Sequence, residues 1–120
     1  MNKSLTLVFG ASLNPHRHSN QVIIRLKQKN FDVIGFGNRE GDVNGVKIKT
    51  DLPFQNIDTI TMYMGARNQE PFIDDILNLN PRRIIFNPGA ENNLLSKLAR
   101  DIGIDVVEGC SMVMLALDEY

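Results

Sequence analysis

Apolar residues along the chain fall in short continuous runs, and these alternate with stretches of helical period. Leu5-Thr6-Leu7-Val8-Phe9 reads as a first strand, buried on both faces. A helix over about 19–29 follows, with Val22, Ile23 and Leu26 on one face and Arg25, Lys27 and Lys29 turned to water; Asn30 suits its left-handed end. Asp32 to Phe36 forms a second strand, and Gly41-Asp42 and Asn44-Gly45 mark the turns of a small ribbon that returns through Val46-Lys47-Ile48. In Asp58 to Met64, Ile60, Met62 and Met64 alternate with Thr59, Thr61 and Tyr63, which predicts a third strand covered on one face, as at a sheet edge. Asn68 is a candidate N-cap for the next helix, with Pro71 in its first turn, Phe72, Ile73, Ile76 and Leu77 buried, and Asn80-Pro81 as its stop. Arg83 to Phe86 is a fourth strand, followed by the turn Asn87-Pro88-Gly89. A third helix over about 91–102 buries Leu94, Leu95, Leu98, Ala99 and Ile102 and ends at Gly103. Ile104 to Val107 is a fifth strand, and Met112 to Leu117 forms a short helix over the sheet.

Alternating strands and helices predict an α/β fold, a Rossmann-like three-layer sandwich around a five-stranded parallel sheet in the order 3-2-1-4-5. The turns after strands one to four then gather at one edge, and a ligand binds beside the switch point between strands one and four.

At that edge the first strand runs into Gly10-Ala11-Ser12-Leu13-Asn14-Pro15 and then into a helix. The unpaired N–H groups and dipole of a helix N-terminus attract an anion, most often a nucleotide diphosphate. This is neither the dinucleotide fingerprint, since Ser12 and Pro15 replace two of its glycines, nor a Walker loop. Ser12 and Ser19 can donate hydroxyl hydrogen bonds, and His16, Arg17 and His18 add donors. After strand two the first charged residue is Arg39, where an NAD-binding sheet carries an acid for the ribose hydroxyls. A guanidinium there suits a phosphate on the ribose, as in NADP (2′) or coenzyme A (3′), although Glu40 offers it a local partner.

The 120 residues suffice for one domain with a core. A net charge of −1 gives no overall basic field for nucleic acid. A single cysteine, Cys110, forms no internal disulfide and fits a reducing compartment; with no secretory signal or membrane-spanning run, this predicts a cytoplasmic protein.

Gly10-Ala11-Ser12-Leu13-Asn14-Pro15-His16-Arg17-His18-Ser19 is similar to the G-A-S-x-N-P-x-R-x-S segment of the bacterial CoA-binding domain family. These small stand-alone proteins are related to the CoA-binding domain of succinyl-CoA synthetase and of ADP-forming acyl-CoA synthetases. Val33-Ile34 through Arg39-Glu40-Gly41, then Val43-Asn44-Gly45, resembles that family's second strand and turn. Residues 58–64 and 83–89 resemble its third and fourth strands, and 103–108 with Cys110 its ending. The resemblance implies one CoA-binding domain over residues 1–120. In it Gly10, Ala11, Ser12, Asn14, Arg17 and Ser19 hold the diphosphate, Arg39 stands near the 3′-phosphate, Met64 and Gly65 flank the adenine, and Asn87 and Gly89 line the pantetheine side. Gly37-Asn38 departs from a common Asn-Pro, and Gly65-Ala66 from a Pro-containing turn.

Ligases of that superfamily use a further domain with a phosphorylated histidine and an ATP-grasp partner, for which this chain has no room. His16 and His18 read as electrostatic, Cys110 as a structural thiol, and the scattered carboxylates show no metal-binding or acid–base spacing. The expectation is a non-catalytic binding protein for CoA or an acyl-CoA. An NADP-dependent reductase and a nucleotide-responsive interaction subunit are the alternatives. The expected partner is the small molecule, not nucleic acid or membrane, with room for a homodimer or a partner subunit.

Overall fold

The computed structural model describes residues 4–120. Its strands are β1 (Leu5–Phe9), β2 (Asp32–Phe36), β3 (Gly41–Val43), β4 (Val46–Lys49), β5 (Thr59–Met62), β6 (Arg83–Phe86) and β7 (Asp105–Glu108). The helices are α1 (His18–Gln28), α2 (Ala66–Gln69), α3 (Ile73–Leu79), α4 (Asn93–Asp101) and α5 (Ser111–Ala116). Among the described residues these strands make one sheet in the order β3-β4-β2-β1-β5-β6-β7, parallel except for β3, which pairs antiparallel with β4.

The α/β, Rossmann-like reading therefore holds, but the five-stranded 3-2-1-4-5 sheet does not. The ribbon return β4 takes the position beside β2 that was expected for strand 58–64. That strand, β5, lies at the centre between β1 and β6, with all four residues buried. The alternation that suggested an edge is a buried polar row. Thr59 donates to the Asp58 carboxylate (2.7 Å), and Thr61 pairs with the Ser111 hydroxyl (2.8 Å). Hydrogen-bonded threonines can face a helix layer without the cost of an unsatisfied hydroxyl. The strand order, which runs outward from β1 through β2 and β4, turns to the other side at β5, so the switch point lies between β1 and β5 rather than between β1 and β6.

Leu7 and Phe9 of β1 face one core with Ile60, Met62, Ile84, Phe86, Leu95 and Ala99, under α3 and α4. Val8 faces the other with Val22, Ile23, Leu26 and Leu115, under α1 and α5. The period-two direction of strand side chains thus divides β1 between two helix layers. Asn44 and Gly45, both at positive φ, turn β3 into β4, the geometry that matches strand twist.

Two helices differ from expectation. Asn68 is not an N-cap: α2 begins at Ala66 after an extended Gly65, and Asn68 lies inside its first turn. Pro71 sits in a 3-10 turn, Glu70–Phe72, that separates α2 from α3, since it has no N–H for a continuous ladder. In α4 the cap is Asn92, whose side chain accepts from the Leu95 N–H (3.0 Å). Leu95 and Ala99 are buried, whereas Leu94 and Ile102 flank the stripe and are more than half exposed.

At the opposite end of the sheet from the site, Arg82 donates to both oxygens of Asp58 (2.9 and 3.0 Å). That hydrogen bonding holds the Asp58 carboxyl below its usual range, against a smaller opposing effect of burial. The pair therefore contributes stability above the ordinary aspartate range, and that contribution is lost as pH falls through the lowered value. Arg82→Gln is expected to raise the midpoint of acid unfolding followed by circular dichroism. The cost at neutral pH should be under about 1 kcal/mol, because the guanidinium is solvated.

Candidate functional site

The C-terminal ends of β1, β2 and β5 surround a crevice of about 1040 Å³. Its floor is made where backbones meet. Gly10 turns at φ +95°, and a Cβ there would lie 2.9 Å from the Met64 nitrogen. The N–H groups of Gly10 and Ala11 both donate to the Phe36 carbonyl (2.8 Å each), clamping the turn onto the end of β2. At Gly37 a Cβ would fall far inside contact of the Ala11 carbonyl oxygen. Phe72 packs edge-on against Phe36 and Phe9 (ring centroids 5.2 and 5.7 Å) and closes one wall.

The loop from Ser12 to Arg17 is tied internally. Asn14 N–H donates to the Ser12 hydroxyl (3.1 Å), His16 N–H to the Asn14 side-chain oxygen (2.9 Å), and Asn20 to the Ser12 carbonyl (2.9 Å). It delivers the chain to α1 with Arg17 as N-cap, no side chain capping the end and no acid in the first turn. Among the described residues, no hydrogen bond engages the N–H groups of Ser12, Leu13, His18 or Ser19. Those amides, with the dipole of α1, form the anion-attracting corner.

Charge completes it. Arg17 and Arg39 both line the crevice, and the ion pairs of the described residues are Lys29–Asp118, Arg82–Asp58 and Lys97–Asp101, so neither guanidinium is neutralised. Glu40 does not take Arg39: its carboxylate accepts from the Thr50 hydroxyl on the β4 side (3.2 Å). Among the described residues no Asp or Glu lines the crevice, although the whole chain carries a net charge of −1.

Of the residues singled out from sequence, Gly10, Ala11, Ser12, Asn14, Arg17, Ser19, Arg39, Met64 and Gly65 line this one space. Gly10 and Ala11 shape it rather than offer donors, since their amides are spent on Phe36. Asn87 and Gly89 do not line it; Pro88, between them, does. Asn87 is buried, with its amide donating to Thr61 (2.8 Å) and to the Met62 carbonyl (2.9 Å), and its oxygen accepting from Ser111 N–H (2.8 Å). Gly89 is exposed and donates to Glu91 (3.0 Å).

Sequence reasoning missed Gly37, Tyr63, Asn68 and Phe72 as lining residues. Position at a strand's C-terminal end was the available signal for Gly37 and Tyr63. It also missed Gln69, fully buried, which donates to the carbonyls of Met64 (2.7 Å) and Ala90 (2.8 Å) and accepts from Asn92 (2.8 Å). Gln69 thereby ties the loop after β5 to the loop after β6. Cys110 is partly buried at the N-cap of α5 and is not a lining residue. Among the described residues, no cluster of His, Cys, Asp and Glu could hold a metal ion, and no helix is long and apolar enough to cross a membrane.

The sequence profile of the CoA binding domain matches residues 5–116. The chain belongs to the CoA-binding domain family. A crystal structure of a protein described only as uncharacterized is 35% identical over the full length of both chains, with a TM-score of 0.95. Two more distant structures share the CoA-binding domain's fold. A hypothetical protein from Pyrococcus horikoshii OT3 is 22% identical, with 98% of this chain and 83% of that one covered and a TM-score of 0.82. A Thermus thermophilus protein is 18% identical, with 98% and 91% covered and a TM-score of 0.88. No curated protein matches the chain significantly. Membership in the CoA-binding family supports a CoA-binding role and gives no support to NADP.

Proposed function

We propose that this protein binds coenzyme A or an acyl-CoA in the crevice as a binding module without chemistry of its own. The diphosphate lies at the N-terminus of α1, bonded by the Ser12, Leu13, His18 and Ser19 amides and by the Ser12 and Ser19 hydroxyls, with Arg17 beside it. Arg39, at the end of β2, takes the ribose 3′-phosphate. One observation carries this reading: among the described residues, a crevice free of carboxylates joins an uncapped helix N-terminus to two guanidinium groups that have no ion-pair partner. Such an arrangement favours a ligand with separated phosphate groups, because charge-assisted bonds form without first breaking internal pairs. The lining holds no paired carboxylates, and no hydrogen bond among the described residues couples its Ser12 or Ser19 hydroxyl to His16 or His18.

Isothermal titration with CoA and dephospho-CoA tests it. Wild-type protein is expected to bind CoA more tightly, and Arg39→Gln to lose that preference, a weakening of CoA by about 1.5–3 kcal/mol with dephospho-CoA unaffected. NADPH fluorescence is expected to stay unchanged on mixing. Equal wild-type affinity for CoA and dephospho-CoA removes the role of Arg39, and binding of neither removes the function.

A further inference from the structure

The wall of the crevice that follows β5 is anchored from below at two points. Gln69 is fully buried and donates to the carbonyls of Met64 (2.7 Å) and Ala90 (2.8 Å), which fixes α2 onto the loops beneath it. Further along, the Phe72 ring packs edge-on against Phe36 and Phe9 (ring centroids 5.2 and 5.7 Å). Asn68 stands between these anchors, next to Gln69 and about one helical turn before Phe72; it is exposed, and both Asn68 and Phe72 line the crevice. Among the described residues no hydrogen bond engages the Asn68 carboxamide, so it can bond a ligand without first giving up a partner. A carboxamide offers an acceptor and donors in one plane. The wall therefore presents an apolar ring and, a turn away, a planar donor–acceptor group, on a backbone held rigid from beneath.

Phe36 ends β2 and Arg39 follows shortly after it, so the contact of Phe72 with Phe36 sets this wall beside the end of β2. On the CoA reading above, on which this inference rests, Arg39 takes the ribose 3′-phosphate. Adenine is carried by the same ribose, so the base lies one sugar ring away from that phosphate and comes against this wall. Across the crevice stands Leu13, seated so tightly on Gly41 that a Cβ there would lie 2.6 Å from its side chain, and it offers only apolar contact. Asn38, beside Arg39, stands with the ribose and its phosphate. We infer that Asn68 is a base-recognition residue: its carbonyl accepts from the adenine 6-amino group, its amide donates to the neighbouring ring nitrogen, and the base rests against Phe72. Asparagine and adenine are matched for two such bonds. The protein thus selects its ligand by the edge of the base as well as by the phosphates.

The probe is etheno-CoA, in which a two-carbon bridge across the adenine edge removes the amino hydrogens while both phosphate groups and pantetheine stay as they are. Titration calorimetry compares it with CoA on the wild type, Asn68→Ala and Asn38→Ala, with thermal unfolding of each ligand-free protein. The wild type is expected to bind CoA about tenfold more tightly than etheno-CoA. Asn68→Ala is expected to lose that preference through weaker binding of CoA alone, with an unfolding midpoint near that of the wild type, because the exposed carboxamide bonds nothing in the protein. Asn38→Ala is expected to keep the preference. Equal wild-type affinity for the two ligands, an Asn68→Ala protein that keeps the preference or weakens both ligands alike, or loss of the preference in Asn38→Ala instead overturns the assignment while the CoA reading stands. A wild-type protein that binds neither ligand overturns both.

Discussion

Replacement of Gly37 by alanine is expected to abolish ligand binding in titration calorimetry, or to weaken it by about a hundredfold or more, and to destabilise the protein by roughly 2–4 kcal/mol. A Cβ at this buried position would overlap the Ala11 carbonyl oxygen, which is backbone and cannot rotate away. Retreat of that carbonyl is resisted, because the Gly10 and Ala11 amides are both bonded to Phe36, the residue before Gly37. Gly37 is itself fixed, its own N–H donating to the Lys49 carbonyl of β4 (2.9 Å). Relief of the overlap must open the β1 turn, and that turn delivers the chain to the N-terminus of α1. Stability and affinity therefore fall together. The internal control is Gly65→Ala. Gly65 also lines the crevice, but a Cβ there meets nothing within 4 Å, so its unfolding midpoint should stay near that of the wild type. A Gly37→Ala protein with wild-type melting and affinity would show that the close approach of β1 turn and β2 is dispensable.

The same contact explains what sequence could and could not disclose. The β1 turn and α1 were legible because local signals agree: a continuous apolar run, a small-residue turn, a helical stripe and Asn30, which ends α1 at φ 67°. Arg39 was legible as the first charge beyond a strand end. The diversion of its neighbour Glu40 was not, because Thr50 becomes a partner only through the register of the β3–β4 pair, which sets Gly41 opposite Ile48. The order of the sheet failed at β5 for a related reason. Alternating threonines signal exposure unless distant residues satisfy them, and the partner of Thr61 on α5 is 50 positions away. Leu94 and Ile102 failed through rotation: a helix of about two and a half turns buries a narrow stripe, and residues at its rim stay in water. Phosphate-side chemistry is thus local in sequence, whereas the walls that aim it are assembled by long-range pairing.

Asn87 is the sharpest case of that assembly, and its replacement by leucine is expected to cost about 3 kcal/mol or more. Its carboxamide joins β5, β6 and the start of α5: it donates to Thr61 and to the Met62 carbonyl and accepts from Ser111 N–H, in a site 2% exposed. Leucine leaves the Ser111 amide with no partner where water cannot replace it. Asn87→Asp distinguishes a structural bridge from a ligand contact. One aspartate oxygen keeps the Ser111 bond, while the other faces the Met62 carbonyl and needs a proton to donate to it. The folded protein therefore favours the neutral acid, and the carboxyl titrates higher when folded than when unfolded. By linkage, the deficit of Asn87→Asp against wild type is smallest below the unfolded aspartate range and grows as pH rises through the raised folded value. Denaturant unfolding at several values between about pH 4 and pH 7 should show that trend, opposite in sign to the Asp58–Arg82 pair. CoA affinity of the folded variant should change only a few-fold, because the carboxamide lies beneath the crevice wall that Pro88 presents. A deficit that does not vary with pH, together with a large loss of affinity, would return Asn87 to the ligand.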